Sequence, residues 1–262
     1  MFSNVELFDS HLHIIDPRFP LTANNGYLPE AFSCDDYLHR VSAFTLAGGA
    51  VVSGSFQAFD QSYLVSALNT LGPNFVGVTQ LQSDVSDDVI MHLDGNGVRA
   101  LRFNLYRGGS ESLAHLVNMA HRVYELAKWH IELYVDSSDL EPMLTTLTRL
   151  PAVSIDHLGL RKSGLGNLLA LAEQGIKIKA TGFGRVDFDV SDAVVVIHNT
   201  NPEALMFGTD LPSTRAPIPF QDSDISRVQD ALGDAAAARV FRDNAVAFYR
   251  PAGYRASRLS GD

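Results

Sequence analysis

The stretch FDSHLHIID, residues 8–16, has the pattern of a buried β-strand that carries two histidines. Apolar residues flank His11 and His13, and Asp16-Pro17 closes the run, because proline cannot continue the hydrogen-bond ladder of a central strand. Side chains alternate between the two faces of a strand, so the two imidazoles are expected on the same side. Such a pair suits either a metal site or a set of hydrogen-bonding groups.

Similar short apolar runs recur along the chain and alternate with helical patterns. Most of them are apolar on both faces, which is typical of a parallel sheet that is covered on each side. Eight such runs predict an α/β protein, a (β/α)8 TIM barrel forming one domain over residues 1–262. A doubly wound open sheet also alternates, but no Gly-x-Gly-x-x-Gly motif follows a run. The predicted strands are Leu7–Ile14, Ala50–Phe56, Phe75–Leu81, Val98–Leu105, Ile131–Asp136, Val153–Leu158, Ile176–Thr181 and Leu205–Leu211.

Local signals predict several of the intervening helices and turns. Ser33 followed by Asp36 has the spacing of a capping box and predicts a helix over Asp35–Ala47. Apolar residues at helical spacing predict further helices over 113–127 and 140–147. Four glycines are expected at helix ends or at turns into the next strand: Gly48, Gly72, Gly97 and Gly175.

Composition excludes several classes of function. The net charge is −10 and the basic residues are scattered, which disfavours binding to nucleic acid or to an anionic membrane. Cys34 is the single cysteine, so internal disulfides and cysteine-based zinc clusters are excluded. Neither a long uncharged apolar run nor a signal-peptide pattern is present, which predicts a cytoplasmic protein with no membrane partner. The tail after Pro251 is poor in apolar residues and is expected to be loosely held.

Ionisable and polar residues stand at the carboxyl ends of the predicted strands. In a barrel these ends meet at one face, together with the long loop of residues 16–32 that follows the first strand. Placing several ionisable groups at one mouth is costly in desolvation unless they are used, so a functional site is predicted there. These residues are His11, His13, Arg102, Asn104, Tyr134, Asp136, Asp156, His157, Arg185 and Asp210, with Arg107 and Arg215 just beyond strand ends.

Four motifs in order resemble the amidohydrolase superfamily, and specifically its amidohydrolase-2 branch. They are FDSHLHI, GVRALRFNL, SIDHLGL and FGTDLP, and together they span nearly the whole chain. Within that branch the sequence resembles the 2-pyrone-4,6-dicarboxylate lactonase family. The resemblance implies a TIM-barrel hydrolase that acts on a carboxylic ester bond, a lactonase of aromatic-acid or sugar-acid catabolism. Its partner would be a small anionic substrate that bears carboxylates, and the oligomeric state stays open.

The resemblance leaves two interpretations of the histidine pair. Metal-dependent members of the branch use a histidine of strand five, where this chain has Tyr134, and His130 lies at the wrong end of that strand. The remaining ligand set is incomplete but can still hold Zn²⁺ or another divalent metal: His11, His13, His157 and Asp210. The tyrosine is what the lactonase resemblance implies, so the favoured interpretation is a site without a metal cofactor.

Hydrolysis of a lactone needs an activated water and stabilisation of the developing oxyanion. Asp210 is the candidate base, and the imidazoles of His11, His13 and His157 are candidate hydrogen-bond donors to the carbonyl oxygen. Guanidinium groups bind carboxylates in bidentate fashion. The candidate substrate-binding residues are Arg102, Arg107, Arg185, Tyr134 and Tyr27.

The chain departs from the lactonase pattern at several positions. Arg107 lies one place before the family's arginine after strand four, and Leu-Pro-Ser follows Asp210 where that family commonly has Trp-Pro-His. Leu160 stands where that family has an arginine, three residues after His157, so this carboxylate site is either lost or rebuilt. The alternative functions are a zinc-dependent amidohydrolase-2 member, either a sugar lactonase or a decarboxylase, and a non-catalytic barrel that binds an anion.

Overall fold

Eight parallel strands form a single sheet in the computed structural model, which describes residues 5–254. Their order along the sheet is their order along the chain, from β1 to β8, and each strand pairs with the next. All eight predicted strands are present, but most end two to four residues earlier than predicted. The strands are β1 Glu6–Leu12, β2 Thr45–Val52, β3 Phe75–Thr79, β4 Val98–Asn104, β5 His130–Tyr134, β6 Val153–Ile155, β7 Lys177–Ala180 and β8 Leu205–Phe207.

The sheet closes where the segment after β8 meets the end of β1. The backbone N–H of His13 donates to Leu211 O at 2.7 Å, and that of Asp210 donates to His11 O at 2.7 Å. Below these bonds, the buried carboxylate of Asp9 accepts hydrogen bonds from the backbone and side chain of Thr209. The predicted (β/α)8 barrel is therefore confirmed, and the open doubly wound sheet is wrong.

Helices connect the strands on the outside of the barrel. The α-helices are α1 Cys34–Arg40, α2 Ser62–Leu71, α3 Asp87–Gly95, α4 Leu116–Ala127, α5 Leu144–Leu147, α6 Leu165–Glu173, α7 Val190–Thr200, α8 Ser223–Leu232, α9 Asp234–Ala238 and α10 Asn244–Tyr249. Short 3-10 turns cover Ser55–Gln57, Leu113–His115, Ser137–Asp139, Glu141–Met143, His157–Gly159, Lys162–Gly164 and Phe183–Arg185, and a π-helical turn covers Arg239–Asp243. None of the helices described is long and apolar enough to cross a bilayer.

The first helix and one glycine differ from the prediction. The capping box of Ser33 and Asp36 is present, but α1 ends at Arg40 and β2 already begins at Thr45, so the prediction of helix as far as Ala47 is wrong. Gly48 lies inside β2 rather than at a turn, where a Cβ atom would stand 2.2 Å from the carbonyl oxygen of Asn74. Close backbone approach therefore explains this glycine.

The C-terminal helix closes the amino-terminal end of the barrel. Tyr249 of α10 is fully buried, stacks on Phe8 of β1 at 5.7 Å between ring centroids, and joins the apolar cluster inside the strands. Its hydroxyl donates to Glu132 of β5. Most of the tail predicted to be loose, residues 255–262, lies outside the described part of the chain.

Candidate active site

Four of the predicted residues meet at the carboxyl ends of the strands. His11 and His13 come from the end of β1, His157 follows β6, and Asp210 follows β8. The Nε2 atoms of His11, His13 and His157 lie 3.9, 3.9 and 4.0 Å from Oδ1 of Asp210, and all four residues are buried. His157 and Asp210 adopt positive φ angles of 52° and 61°, a conformation that is costly for residues other than glycine and is concentrated at functional sites.

The hydrogen bond made by His13 determines which of its nitrogens carries hydrogen. Nδ1 lies 2.7 Å from the carbonyl oxygen of Val52, which can only accept. Burial lowers the pKa of His13 well below 6.5, so the ring is neutral and Nε2 presents a lone pair. His13 is therefore an acceptor toward Asp210 and its surroundings, which differs from the expectation that all three rings donate.

The other two imidazoles have partners that allow Nε2 to carry hydrogen. Nδ1 of His157 lies 2.8 Å from the hydroxyl of Thr181, which can donate to it. Nδ1 of His11 lies 3.4 Å from the ammonium of Lys179 and also 3.4 Å from a carboxylate oxygen of Asp156. Burial lowers the pKa of both rings, so each is neutral near pH 7.

Arg185 fixes the orientation of Asp210. Its Nε donates to Oδ2 of Asp210 at 2.7 Å, and its Nη2 donates to the carbonyl oxygen of Thr214 at 2.8 Å. The other carboxylate oxygen, Oδ1, is buried and has no hydrogen-bond partner within residues 5–254, and the same holds for Nε2 of His11. One oxygen of Asp210 is thus held by the protein, and the other is left for a ligand or for water.

Arg102 is likewise paired with a carboxylate of the protein. Its Nε and Nη2 donate to Oδ2 of Asp156 at 3.2 and 2.8 Å, and its Nη1 donates to the carbonyl oxygen of Ser53 at 2.8 Å. Burial acts to raise the pKa of Asp156, but the charges of Lys179 and Arg102 outweigh it and hold this pKa well below its usual range. Much of the hydrogen-bonding capacity of Arg102 is therefore used inside the barrel.

A buried ion pair beneath the site escaped the sequence analysis. Lys179 of β7 donates to Glu132 of β5 and lies 3.5 Å from Asp156, and none of these side chains is exposed. Burial acts to raise the pKa of Glu132, but the charge of Lys179 acts in the opposite direction, and the pKa falls from 4.5 to about 2. The signal was present in the segments HIELY and KIKA, where charged residues occupy alternate positions of strands that were expected to be apolar.

A pocket opens next to the cluster, and the long first loop forms part of its wall. The loop is held in place by a hydrogen bond from the backbone of Thr22 to Phe56 O at 2.7 Å. Of the predicted residues, those that line the pocket are His13, Tyr27, Arg102, Asn104, Arg107, Tyr134, His157, Arg185 and Arg215. Four further residues line the pocket without having been predicted, in part because the predicted second strand extends to residue 56: Gly54, Ser55, Phe56 and Thr214.

Two polar residues near β5 lie away from the pocket. Asp136 caps the 3-10 turn that follows, accepting from the backbone N–H of Ser138 at 2.9 Å. His130 lies at the opposite end of the strand, where it contacts Glu132 at 3.1 Å, in agreement with the prediction that it is too far away to be a ligand.

The buried cluster fits the donor set of a divalent cation. The ligand atoms of His11, His157 and Asp210 all lie within 4.8 Å of one another, and Nε2 of His13 presents a lone pair 3.9 Å from Oδ1 of Asp210. Neutral imidazole nitrogens with one carboxylate oxygen suit Zn²⁺. The two unpartnered atoms, Nε2 of His11 and Oδ1 of Asp210, belong to this set.

A (β/α)8 barrel with two histidines at the end of β1, a third after β6 and an aspartate after β8 defines an amidohydrolase-type barrel. Residues 8–250 match the Amidohydrolase family model, and the chain belongs to that family.

Relatives with known names or structures extend this comparison. The chain is 28% identical over 160 residues to a 2-pyrone-4,6-dicarboxylate hydrolase of Comamonas testosteroni; the alignment covers 58% of this chain and 51%, about half, of that protein. A structure of a probable 2-pyrone-4,6-dicarboxylic acid hydrolase from Acinetobacter baumannii, with citric acid bound, has a TM-score of 0.80 at 18% identity, covering 93% of this chain and 99% of the other. An apo structure from Agrobacterium tumefaciens has a TM-score of 0.80 at 19% identity, covering 93% and 95%. At these identities the two structures establish the fold.

Proposed function

We propose that the protein is a lactonase, a hydrolase that opens the ester ring of a small carboxylate-bearing lactone. One observation carries the proposal: an unpartnered carboxylate oxygen of Asp210 faces three imidazole nitrogens beside a pocket that four arginines line. The name of the Comamonas testosteroni relative, a 2-pyrone-4,6-dicarboxylate hydrolase, supports the same reaction class and makes this compound the substrate to test first.

Asp210 is the proposed general base. Its Oδ1 takes a proton from water while the water oxygen forms a bond to the lactone carbonyl carbon, which leaves a tetrahedral oxyanion. When the intermediate collapses, the ring C–O bond breaks and the leaving oxygen takes the proton back from Asp210. The products are a new carboxylic acid and a hydroxyl group on the opened chain. Arg185, bound to Oδ2, keeps the carboxylate in position through both steps.

The three imidazoles have different hydrogen-bonding roles in the proposed reaction. His13 presents a lone pair at Nε2 and can accept a hydrogen bond from the attacking water. His157, and His11 when Lys179 donates to its Nδ1, present Nε2–H groups that suit the developing oxyanion. A donor of this kind is commonly worth about 3 kcal/mol in the transition state.

The pocket wall supplies groups for the substrate carboxylate. Arg107 lines the pocket, and no carboxylate within residues 5–254 forms an ion pair with it, so its charge is available to an anion. Tyr27 and Tyr134 line the same pocket and can donate their hydroxyl hydrogens. Arg102 and Arg185 add positive potential from below, although each is also paired with an aspartate.

We further propose that the reaction proceeds without a metal cofactor. The ion pair between Arg185 and Asp210 supports this, because a guanidinium on the carboxylate opposes the binding of a second cation there. The alternative is a zinc-dependent lactonase or decarboxylase, which the lone pair of His13 and the unpartnered Nε2 of His11 favour. Bound zinc would be held by His11, His13, His157 and Asp210 and would polarise the carbonyl or acidify a water.

The test combines metal analysis with two variants. Purified protein, treated with a chelator, is mixed with 2-pyrone-4,6-dicarboxylate, and the loss of pyrone absorbance is followed. We expect turnover to survive the chelator and Asp210→Asn to lower kcat by about 10²- to 10⁴-fold. Asp230→Asn, an exposed aspartate of α8, is the matched control and should leave kcat unchanged.

Each other outcome is informative. If the chelator abolishes turnover and zinc restores it, while buffer alone does not, the metal-free mechanism is overturned and the zinc-dependent alternative is supported. Undiminished turnover by Asp210→Asn would refute its role as the base. Absence of hydrolysis with this compound and with lactones that bear one carboxylate, with or without zinc, would refute the lactonase and favour a barrel that only binds anions.

A further inference from the structure

The four arginines of the pocket differ in what neutralises them. Arg102 and Arg185 lie deep in the pocket, with side chains 2% and 6% exposed, and each forms an ion pair at 2.8 or 2.7 Å with a buried aspartate. A carboxylate of the substrate would have to share these two guanidinium groups with the protein. They are therefore poor candidates for discriminating between substrates.

Arg107 and Arg215 form the outer pair, half-buried at the mouth of the pocket. Within residues 5–254, neither forms an ion pair with an aspartate or glutamate. Burial and the charge of Arg107 both lower the pKa of Arg215, so the two cations lie close enough to repel each other. In a protein of net charge −10, two adjacent uncompensated cations at a pocket mouth indicate a binding site for an anion.

Arg215 is held in place by neutral groups only. It donates to the side-chain and backbone oxygens of Asn24, and its guanidinium lies 4.2 Å from the ring centroid of Tyr27. A guanidinium has five N–H donors, and the contacts with Asn24 use two of them. The first loop therefore orients Arg215 and leaves three donors for a ligand.

Leu160, which follows β6, supplies no hydrogen-bond donor from its side chain to the pocket. Leu160 is 3% exposed and is absent from the pocket lining, so that strand end contributes an apolar residue to the core and no charge to the mouth. The pocket has a guanidinium group from Arg215, after β8, and none from the position of Leu160 after β6.

We propose that Arg215 is a specificity-determining residue that binds a second, outward-facing carboxylate of the substrate. Arg107 contacts the same group, while Asn24 and Tyr27 position Arg215. This inference rests on the proposed function for the identity of the substrate, but the binding site itself does not depend on turnover.

The experiment measures binding of two ring compounds that cannot be hydrolysed. Calorimetry with benzene-1,3-dicarboxylate and with benzoate compares a ligand with two carboxylates and a ligand with one. We expect Arg215→Gln to weaken binding of the dicarboxylate by about 10- to 100-fold, the loss typical of charge-assisted hydrogen bonds, and to change benzoate binding by less than about threefold. Arg149→Gln removes the same charge at the amino-terminal end of the barrel and should change neither.

Two further variants test whether the effect depends on the charge of Arg215 and on its positioning by the first loop. Arg215→Lys keeps the charge and should retain part of the preference for the dicarboxylate, and Asn24→Ala should weaken dicarboxylate binding more than benzoate binding. Equal losses for both ligands in Arg215→Gln, with an unchanged melting temperature, would overturn the proposal. A variant that discriminates as expected, in a protein that opens no lactone, would refute the proposed function and leave this site standing.

Discussion

The buried pair of Lys179 and Glu132 permits a sharp test of how the barrel tolerates charge in its interior. In Lys179→Met, Glu132 and Asp156 remain buried without the ammonium that lies between them. Removing one partner of a buried ion pair typically costs 3–5 kcal/mol, so about this loss in the free energy of unfolding is expected at pH 7. The charge of Lys179 lowers the pKa of Glu132 against the effect of burial, so removing it is expected to destabilise the folded state.

The pH dependence of the loss identifies its electrostatic origin. In the native protein the pKa of Glu132 lies below its unfolded value, so its contribution is fully present above about pH 4.5 and is lost as the pH falls toward 2. Without Lys179, burial raises this pKa, and Glu132 takes up a proton in the folded state as the pH is lowered. The difference between native protein and variant should therefore shrink between pH 7 and pH 4, as measured by urea unfolding.

The matched control is Lys177→Met, the same substitution two residues earlier on β7. Lys177 is partly exposed and donates to the carbonyl oxygen of Glu203 at 2.8 Å, so its loss should cost less than about 1 kcal/mol. The double variant Lys179→Met, Glu132→Gln should recover part of the stability, because the unpaired charge is removed. Equal losses in the two single variants, or a loss in Lys179→Met that does not change with pH, would refute the reasoning.

Three other predictions concern the site and its supports. Tyr134→His should tighten zinc binding by at least about tenfold, since it adds an imidazole on β5 next to the cluster, and unchanged affinity in a chelator competition would contradict this. Ser33→Ala should lower the free energy of unfolding by about 1 kcal/mol, because the capping box with Asp36 is lost; a shift in urea midpoint measures it. Gly184→Ala should cost about 1–3 kcal/mol and lower the melting temperature, since its Cβ would meet Ile218 O at 2.0 Å.

The number and order of the strands were predictable from the sequence, and so was the cluster of three histidines and Asp210, because each depends on short apolar runs and on the residues that follow them. Runs such as Phe75–Thr79 are short, largely apolar and entirely buried, and the histidines and Asp210 lie where strands end. Strand ends were less predictable. Residues 53–57 leave the sheet after Val52, and Ser55–Gln57 form a 3-10 turn that reaches the pocket, whereas the predicted strand continued to Phe56.

The pairing of charges was beyond the sequence analysis because it depends on neighbours far apart in the chain. Arg102 meets Asp156 and Arg185 meets Asp210 only when their strands have assembled into the sheet, and nothing in the local sequence of either arginine indicates that it is already paired. Lys179 and Glu132 were missed for the same reason, since they lie on strands β7 and β5 and meet inside the barrel.

The contact between the last helix and the barrel interior has a consequence for synthesis of the chain. Glu132 accepts one of its hydrogen bonds from Tyr249, and β1 finds its second neighbour only in the segment around Leu211. A growing chain that has just completed β5 therefore exposes the Glu132 carboxylate, whose partner Tyr249 lies more than a hundred residues further on, and an open edge of β1, which is closed only when Leu211 has been added. The barrel is therefore completed late in synthesis. If translation stalls before α10, the chain exposes the buried face of the barrel that Tyr249 covers to chaperones and proteases.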